Sequence, residues 1–135
     1  MIHCDTSFLI DLQRELIRER PAAAFELIES LDPEEILGVS VHVVCELRAG
    51  AELTKKAVAE HEALDRLLSG LLVAYPDDRF PVLYGRLLAA TRRSRLTVAS
   101  MDLLIGTAAL LDDAALVTRN VKDFSKIPGL RLLTY

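Results

Sequence analysis

The chain has 135 residues, 51% of them hydrophobic and 27% charged, with a formal net charge of −4. That length suits one domain, over 1–135, around a single adequate core. The acidic balance excludes a generally basic nucleic-acid coat, so any contact with a polyanion must come from a local patch.

Met1–Cys4 reads as a short strand ending at Asp5. Thr6 is then placed to cap a helix with Phe8, Leu9, Leu12, Leu16 and Ile17 at helical spacing. Pro21 opens a second helix with Phe25, Leu27, Ile28 and Leu31 on its apolar face, and Asp32-Pro33 ends it. Ile36–Val39 is a second, buried strand. Ser40 is placed to cap a helix from Val41 to about Ala49, which Gly50 weakens. Leu53–Leu68 is the longest periodic segment, with Leu53, Ala57, His61, Leu64, Leu67 and Leu68 on one face.

Leu71–Tyr75 is a third strand. Asp77-Asp78 begins a further helix, since negative charge suits a helix N-terminus, and that helix ends in Arg92-Arg93-Ser94-Arg95. Ser100 caps a helix from Met101 to Leu111. Ala115–Thr118 is a fourth strand, and Leu130–Leu133 a fifth after the turn at Pro128-Gly129. Strands alternating with helices argue an α/β three-layer fold with a parallel sheet of four to five strands flanked by helices.

Cys4 and Cys45 show neither CxxC nor Cys/His ligand spacing. In their apolar contexts they read as reduced, buried thiols of a cytoplasmic protein. Asp5 interrupts any signal-peptide pattern at once. No apolar run approaches the roughly 18 residues a membrane helix needs.

Four acids fall where a strand hands over to a helix or loop: Asp5, Glu46, Asp102 and Asp123. In an open parallel sheet the carboxyl ends of the strands form the ligand edge. Carboxylates gathered there repel one another unless a cation holds them, and Mg²⁺ or Mn²⁺ prefers oxygen ligands. Such a pocket suits phosphodiester hydrolysis. Each acid alone has a plainer reading. Asp5 could cap a helix, Glu46 could be a surface glutamate, Asp102 a first-turn acid, and Asp123 a turn residue. The set of four at one edge is harder to explain that way.

Thr118 and Asn120 are polar neighbours of Asp123, fit to bind a water or a phosphate oxygen. Arg92, Arg93 and Arg95 form either a phosphate-backbone contact or a solvated helix end. His42, one turn before Glu46, either orients it or is an ordinary helix histidine; His3 and His61 read as structural. No GxGxxG, P-loop, GxSxG or HExxH occurs.

Four stretches together resemble the PIN-domain ribonucleases, and within them the VapC-type toxins of bacterial and archaeal toxin–antitoxin pairs. They are Asp5 through Leu12, Ser40 through Ala51 (with Glu46-Leu47-Arg48-Ala49-Gly50-Ala51), Asp102 through Ala108, and Leu116 through Phe124 followed by Ile127-Pro128-Gly129-Leu130. The resemblance runs in order over nearly the whole chain. It implies a Mg²⁺- or Mn²⁺-dependent endoribonuclease that forms a homodimer and is restrained by a cognate antitoxin. The family's acidic quartet falls on Asp5, Glu46, Asp102 and Asp123, with Thr118 and Asn120 as polar auxiliaries.

In that reading Asp5, Asp102 and Asp123 hold the metal. Glu46 orients a metal-activated water or completes a weaker second site, and cleavage leaves a 3′-hydroxyl and a 5′-phosphate. Gly106 stands where the family often has alanine, and His42 where it often has threonine. The alternatives are a housekeeping nuclease of the same fold without an antitoxin, a DNA nuclease with the same pocket, and a non-catalytic receiver-like Mg²⁺ module. A receiver needs paired acids after its first strand and a lysine after its fifth; Asp5 is single, and no such lysine follows Leu133.

Overall fold

A computed structural model describes residues Met1–Tyr135. The strands are β1 (Ile2–Cys4), β2 (Leu37–Ser40), β3 (Leu72–Ala74), β4 (Ala115–Val117) and β5 (Leu132–Leu133). The helices are α1 (Thr6–Ile17), α2 (Ala23–Ser30), α3 (Val41–Glu52), α4 (Ala57–Leu68), α5 (Phe80–Arg93), α6 (Ser100–Leu111) and the single turn α7 (Val121–Phe124).

The sheet order is β3-β2-β1-β4-β5, and every pairing is parallel. β1 is central, with Ile2 opposite both Leu37 and Ala115, and Cys4 opposite Val117. The chain leaves β1 toward β2 and β3 on one side and later returns to β4 on the other. The order therefore reverses beside β1, and a crevice opens there at the carboxyl ends of the strands. Asp5 follows β1 and Thr118 follows β4, so both stand at that switch point.

Burial follows the apolar pattern. Phe8 and Leu9 of α1, Val39, Val43, Leu103, Ile105, Leu116, Val117 and Phe124 close the core. Leu64 and Leu87 are also core residues, so the apolar surface open to a second copy is smaller than the expected set Leu64, Leu67, Leu68, Leu83, Leu87 and Leu88. The other four are half-buried against that core.

Helix ends are where expectation and structure part. Asp5, not Thr6, caps α1, its carboxylate accepting from the Thr6 N–H at 2.7 Å. α2 starts at Ala23 rather than Pro21. Its first N–H groups are met from outside: the Glu15 carboxylate accepts from Ala22, Ala24 and Phe25 at 2.9, 3.0 and 2.8 Å. Ser40 caps α3 as expected, accepting from the Val43 N–H, but α3 runs past Gly50 to Glu52.

Residues 53–56 are then a loop. The N–H and hydroxyl of Thr54 both turn back to the Ala51 carbonyl, and Leu53 is 88% exposed despite its place in the periodic pattern. α6 begins at Ser100 behind Ala99, with no side-chain cap. Of the two cysteines only Cys4 is buried; Cys45 is exposed, because helical spacing puts it on the opposite side of α3 from Val43 and Leu47.

Candidate active site

Asp5 is 4% exposed and closely held. Its Oδ1 accepts from the Thr6 N–H at 2.7 Å. Its Oδ2 accepts from the Ser7 hydroxyl at 3.1 Å and the Thr118 hydroxyl at 2.7 Å. Thr118 in turn accepts from the Asn120 N–H at 2.9 Å. Three donors and the helix N-terminus satisfy the buried carboxylate and fix its direction. Thus Asp5 both caps α1 and faces the crevice, and the plain capping role does not compete with a place in the site.

Glu46 comes to the same edge from α3, where Val43 and Leu47 bury the other face. Its Oε1 accepts the Thr6 hydroxyl at 2.7 Å, which ties α3 to the start of α1. Asp123 sits in α7, beside Lys126 at 3.5 Å. Hydrogen bonding from the Asn120 side chain, then from Lys126, holds the Asp123 carboxyl below its ordinary range. The Lys126 ammonium also donates to the Thr97 carbonyl at 3.2 Å, joining α7 to the loop before α6.

Asp102, in the first turn of α6, has no hydrogen-bond partner of this kind. Burial raises its pKa, and the charges of Asp5, Asp123 and Glu46 raise it further. Those causes bring the four expected acids into one electrostatic neighbourhood: the N-cap of α1 and helices α3, α6 and α7 each contribute one. As the side chains stand, no group of three or more His, Cys, Asp or Glu is drawn together to hold a metal ion. The Thr6 hydroxyl engages Glu46, the Ser7 and Thr118 hydroxyls engage Asp5, and Lys126 engages Asp123. The donor set nonetheless suits a hard cation, being all oxygen, with an excess of negative charge that Asp102 registers.

His42 does not orient Glu46. Its ring stacks on Phe80, centroids 5.4 Å apart, and burial lowers its pKa. His3 is buried with its Nε2 2.7 Å from Asp112, and His61 bridges Glu52 and Arg48 at the α3–α4 joint. All three histidines are structural. Arg92, Arg93 and Arg95 are exposed at the end of α5, just before the loop whose Thr97 carbonyl Lys126 holds. Sequence reasoning took Thr6 for a cap and passed over Ser7 and Lys126. The signal for the first two was present in the Asp5-Thr6-Ser7 run: two hydroxyls directly after a strand-end acid.

The family model for the PIN domain matches residues 2–130. Ribonuclease VapC2 of Rickettsia felis is 31% identical over 116 residues, spanning 86% of this chain and 87% of that protein. Ribonuclease VapC19 of Mycobacterium tuberculosis is 31% identical over 127 residues, 94% of each chain. Among solved structures, VapBC2 from Rickettsia felis, bound to a DNA fragment from its promoter, superposes with a TM-score of 0.87 at 29% identity, covering 100% of this chain and 99% of that one. VapBC-1 from nontypeable Haemophilus influenzae gives 0.86 at 28% identity, covering 99% and 98%.

Proposed function

Since the chain belongs to the PIN-domain family, we propose that its acidic crevice is the active site of an endoribonuclease, and that the protein is the toxin of a toxin–antitoxin pair. What supports this reading is that Asp5, at the switch point of the sheet, acts with Asp123 and Glu46 on the charge of Asp102, in a chain whose relatives are ribonucleases of the VapC name over nearly their whole length.

Asp5, Asp102 and Asp123 would hold a divalent cation, Mg²⁺ or Mn²⁺. Bound there, such a cation stabilises charge on a phosphoryl oxygen and lowers the pKa of water. The chain's own residues do the rest. Thr6, Ser7 and Thr118 aim Asp5 by donating to it. Thr6 also aims Glu46, whose free oxygen is available to orient an attacking water or accept its proton. Asn120 fixes the Thr118 hydroxyl through its backbone. Asp102, with its raised pKa and few partners, is the acid whose charge most needs compensation. Arg92, Arg93 and Arg95, exposed at the end of α5, would serve as phosphate contacts. RNA is the substrate, and water rather than a 2′-hydroxyl is the nucleophile, because no histidine stands in the crevice. The products are a 3′-hydroxyl and a 5′-phosphate.

The partner is an antitoxin, as in the VapBC complexes of the same fold. A basic side chain entering the crevice between Asp5 and Asp102 would pair with Asp102, which has no donor of its own, and block the site. A homodimer completes the assembly, with the half-buried Leu83 and Leu88 of α5 as contacts. A nuclease of the same fold without an antitoxin is the second reading. Induced expression in a bacterial host separates the two. The chain alone should arrest growth, and Asp5→Asn should not. Normal growth with abundant soluble wild-type protein would leave no toxin to restrain.

A further inference from the structure

Away from the acidic crevice, several arginines gather on the exposed side of α1. Asp11, Arg14 and Arg18 follow one another at helical spacing and, with Glu15, Arg20 and Ala22, line an open cleft of about 340 Å³. Arg119 reaches the same place from β4: its guanidinium is 2.8 Å from Asp11 Oδ2 and 61% exposed. Four arginines therefore face two carboxylates, in a protein of net charge −4.

Both carboxylates are already committed. Glu15 accepts the three N–H groups at the start of α2. Asp11 accepts the Tyr135 hydroxyl at 2.7 Å on the oxygen that Arg119 also approaches, while Arg14 stands 3.8 Å from its other oxygen. The Arg119 ion pair uses one of five guanidinium donors, leaving the others for an incoming group. The Arg119 end of the pair faces solvent while Asp11 stays half-buried under Tyr135, so the guanidinium is the partner free to meet an incoming group.

The cleft is joined to the crevice through few atoms. The Arg119 N–H donates to the Ser7 hydroxyl at 3.2 Å, and that hydroxyl donates to Asp5 Oδ2 at 3.1 Å. Arg119 also follows Thr118, the other side-chain donor to Asp5. From Asp11 to Arg18 the line of arginines then extends about 10 Å along α1.

We infer that this cleft is a phosphate-binding track for single-stranded RNA, with Arg119 gripping a phosphate beside the cut and Arg14, Arg18 and Arg20 holding the strand beyond it. The inference rests on the endoribonuclease reading. Asp11 and Tyr135 act as positioning residues: they hold the Arg119 fork at the rim until a phosphate replaces the carboxylate. Planar bidentate donors suit phosphate oxygens, and several in line suit a strand rather than a lone anion.

The test is steady-state cleavage of a long mixed-sequence single-stranded RNA across a range of salt concentrations. Wild type is compared with Arg119→Ala and with the triple variant Arg14→Ala, Arg18→Ala, Arg20→Ala. Each phosphate contact on a single strand adds about 0.7 to the slope of log affinity against log salt. The triple variant should therefore lose about 2 from that slope and Arg119→Ala about 0.7. The loss should lie in KM, with kcat nearly unchanged in the triple variant, and lysines at the same three positions should restore the slope.

Unchanged KM and slope in both variants would overturn the track. So would a fall in kcat alone, which would mean that the arginines only support the crevice. Unchanged RNA kinetics with weakened inhibition by the antitoxin would make the cleft a protein-docking face instead. If wild type cleaves no RNA under any divalent metal, the endoribonuclease reading itself fails, a result distinct from a failure confined to the variants.

Discussion

Asp102→Asn should stabilise the metal-free protein. Asp102 is half-buried, lacks the hydroxyl donors that serve Asp5, and faces the charges of three other acids. Two unit charges about 7 Å apart at an effective dielectric near 20 repel by roughly 2 kcal/mol, which sets the scale for each such pair. Screening at a half-exposed group leaves only part of that sum, about 2 kcal/mol altogether. The opposing contribution is the α6 N-terminus, where a first-turn carboxylate gives about 0.3–1 kcal/mol. The net gain on removing the charge is then about 1 kcal/mol, or roughly 3–5 °C in Tm for a chain of this length.

The pH dependence follows from the direction of the shift. The folded-state carboxyl titrates above its ordinary value of 3.8. Below 3.8 it is protonated folded or unfolded, and its cost is absent. The cost grows as pH rises from 3.8 through the raised value and is complete above it. The difference between wild type and variant should therefore close on acidification through that window. Mg²⁺ acts in the opposite sense, adding about 2.7 kcal/mol to a folded state that binds it at a hundred times Kd, and the variant should gain less. Thermal melts in EDTA and in Mg²⁺ measure all of this. An Asp102→Asn protein that melts lower than wild type in EDTA, and gains as much from Mg²⁺, would refute the reasoning and leave Asp102 a simple first-turn acid.

Burial holds His3 below its ordinary pKa of 6.5, against the pull of Asp112, and burial lowers His42 too. Both lose stability as pH falls below 6.5 toward the folded-state values, so His42→Phe, which keeps the stacking on Phe80, should flatten the acid limb of a Tm–pH curve; an unchanged limb would count against it. A Cβ at Gly106 would lie 2.6 Å from Ile127 Cδ1, so the helix gain of Gly106→Ala, about 1 kcal/mol, is opposed by overpacking of about 1–3 kcal/mol. Ile127→Val removes that methyl, and a double-mutant cycle should show the pair coupled by about 1 kcal/mol; additivity would contradict the contact. One thiol, Cys45, should react quickly with a thiol reagent in the native protein, while Cys4, buried and pushed up to about 12, should react only on unfolding. Two fast thiols would contradict the packing of β1.

The parallel sheet was legible because it rests on spacing, and the four acids stood out as candidates by their places in the chain. Short apolar runs alternated with amphipathic segments, and Asp5 directly followed such a run, whereas Glu46 lies inside α3 and Asp102 follows the loop after α5 rather than a strand. What escaped was set by long-range partners. Glu15 begins α2 from a neighbouring helix, so Pro21 misled. Thr54 folds back on Ala51 inside an unbroken apolar period, so the start of α4 was placed too early. Cys45 looked buried by composition, yet its angular position on α3 points it outward. The hydroxyls that aim Asp5 and Glu46 were visible as residue types, but their pairing spans up to 113 positions in the chain and needs the β1–β4 neighbourhood. Arg119 was equally mute until Asp11 and Tyr135 fixed it.

The most direct measurement is RNA cleavage by the purified wild-type chain beside Asp5→Asn. Wild type should cut RNA in Mg²⁺ or Mn²⁺, stop in EDTA, resume when metal is restored, and leave 5′-phosphate ends, while Asp5→Asn stays folded and inactive under every condition. Undiminished cleavage by folded Asp5→Asn, or cleavage by wild type that persists in EDTA, would contradict an active site built on the four acids.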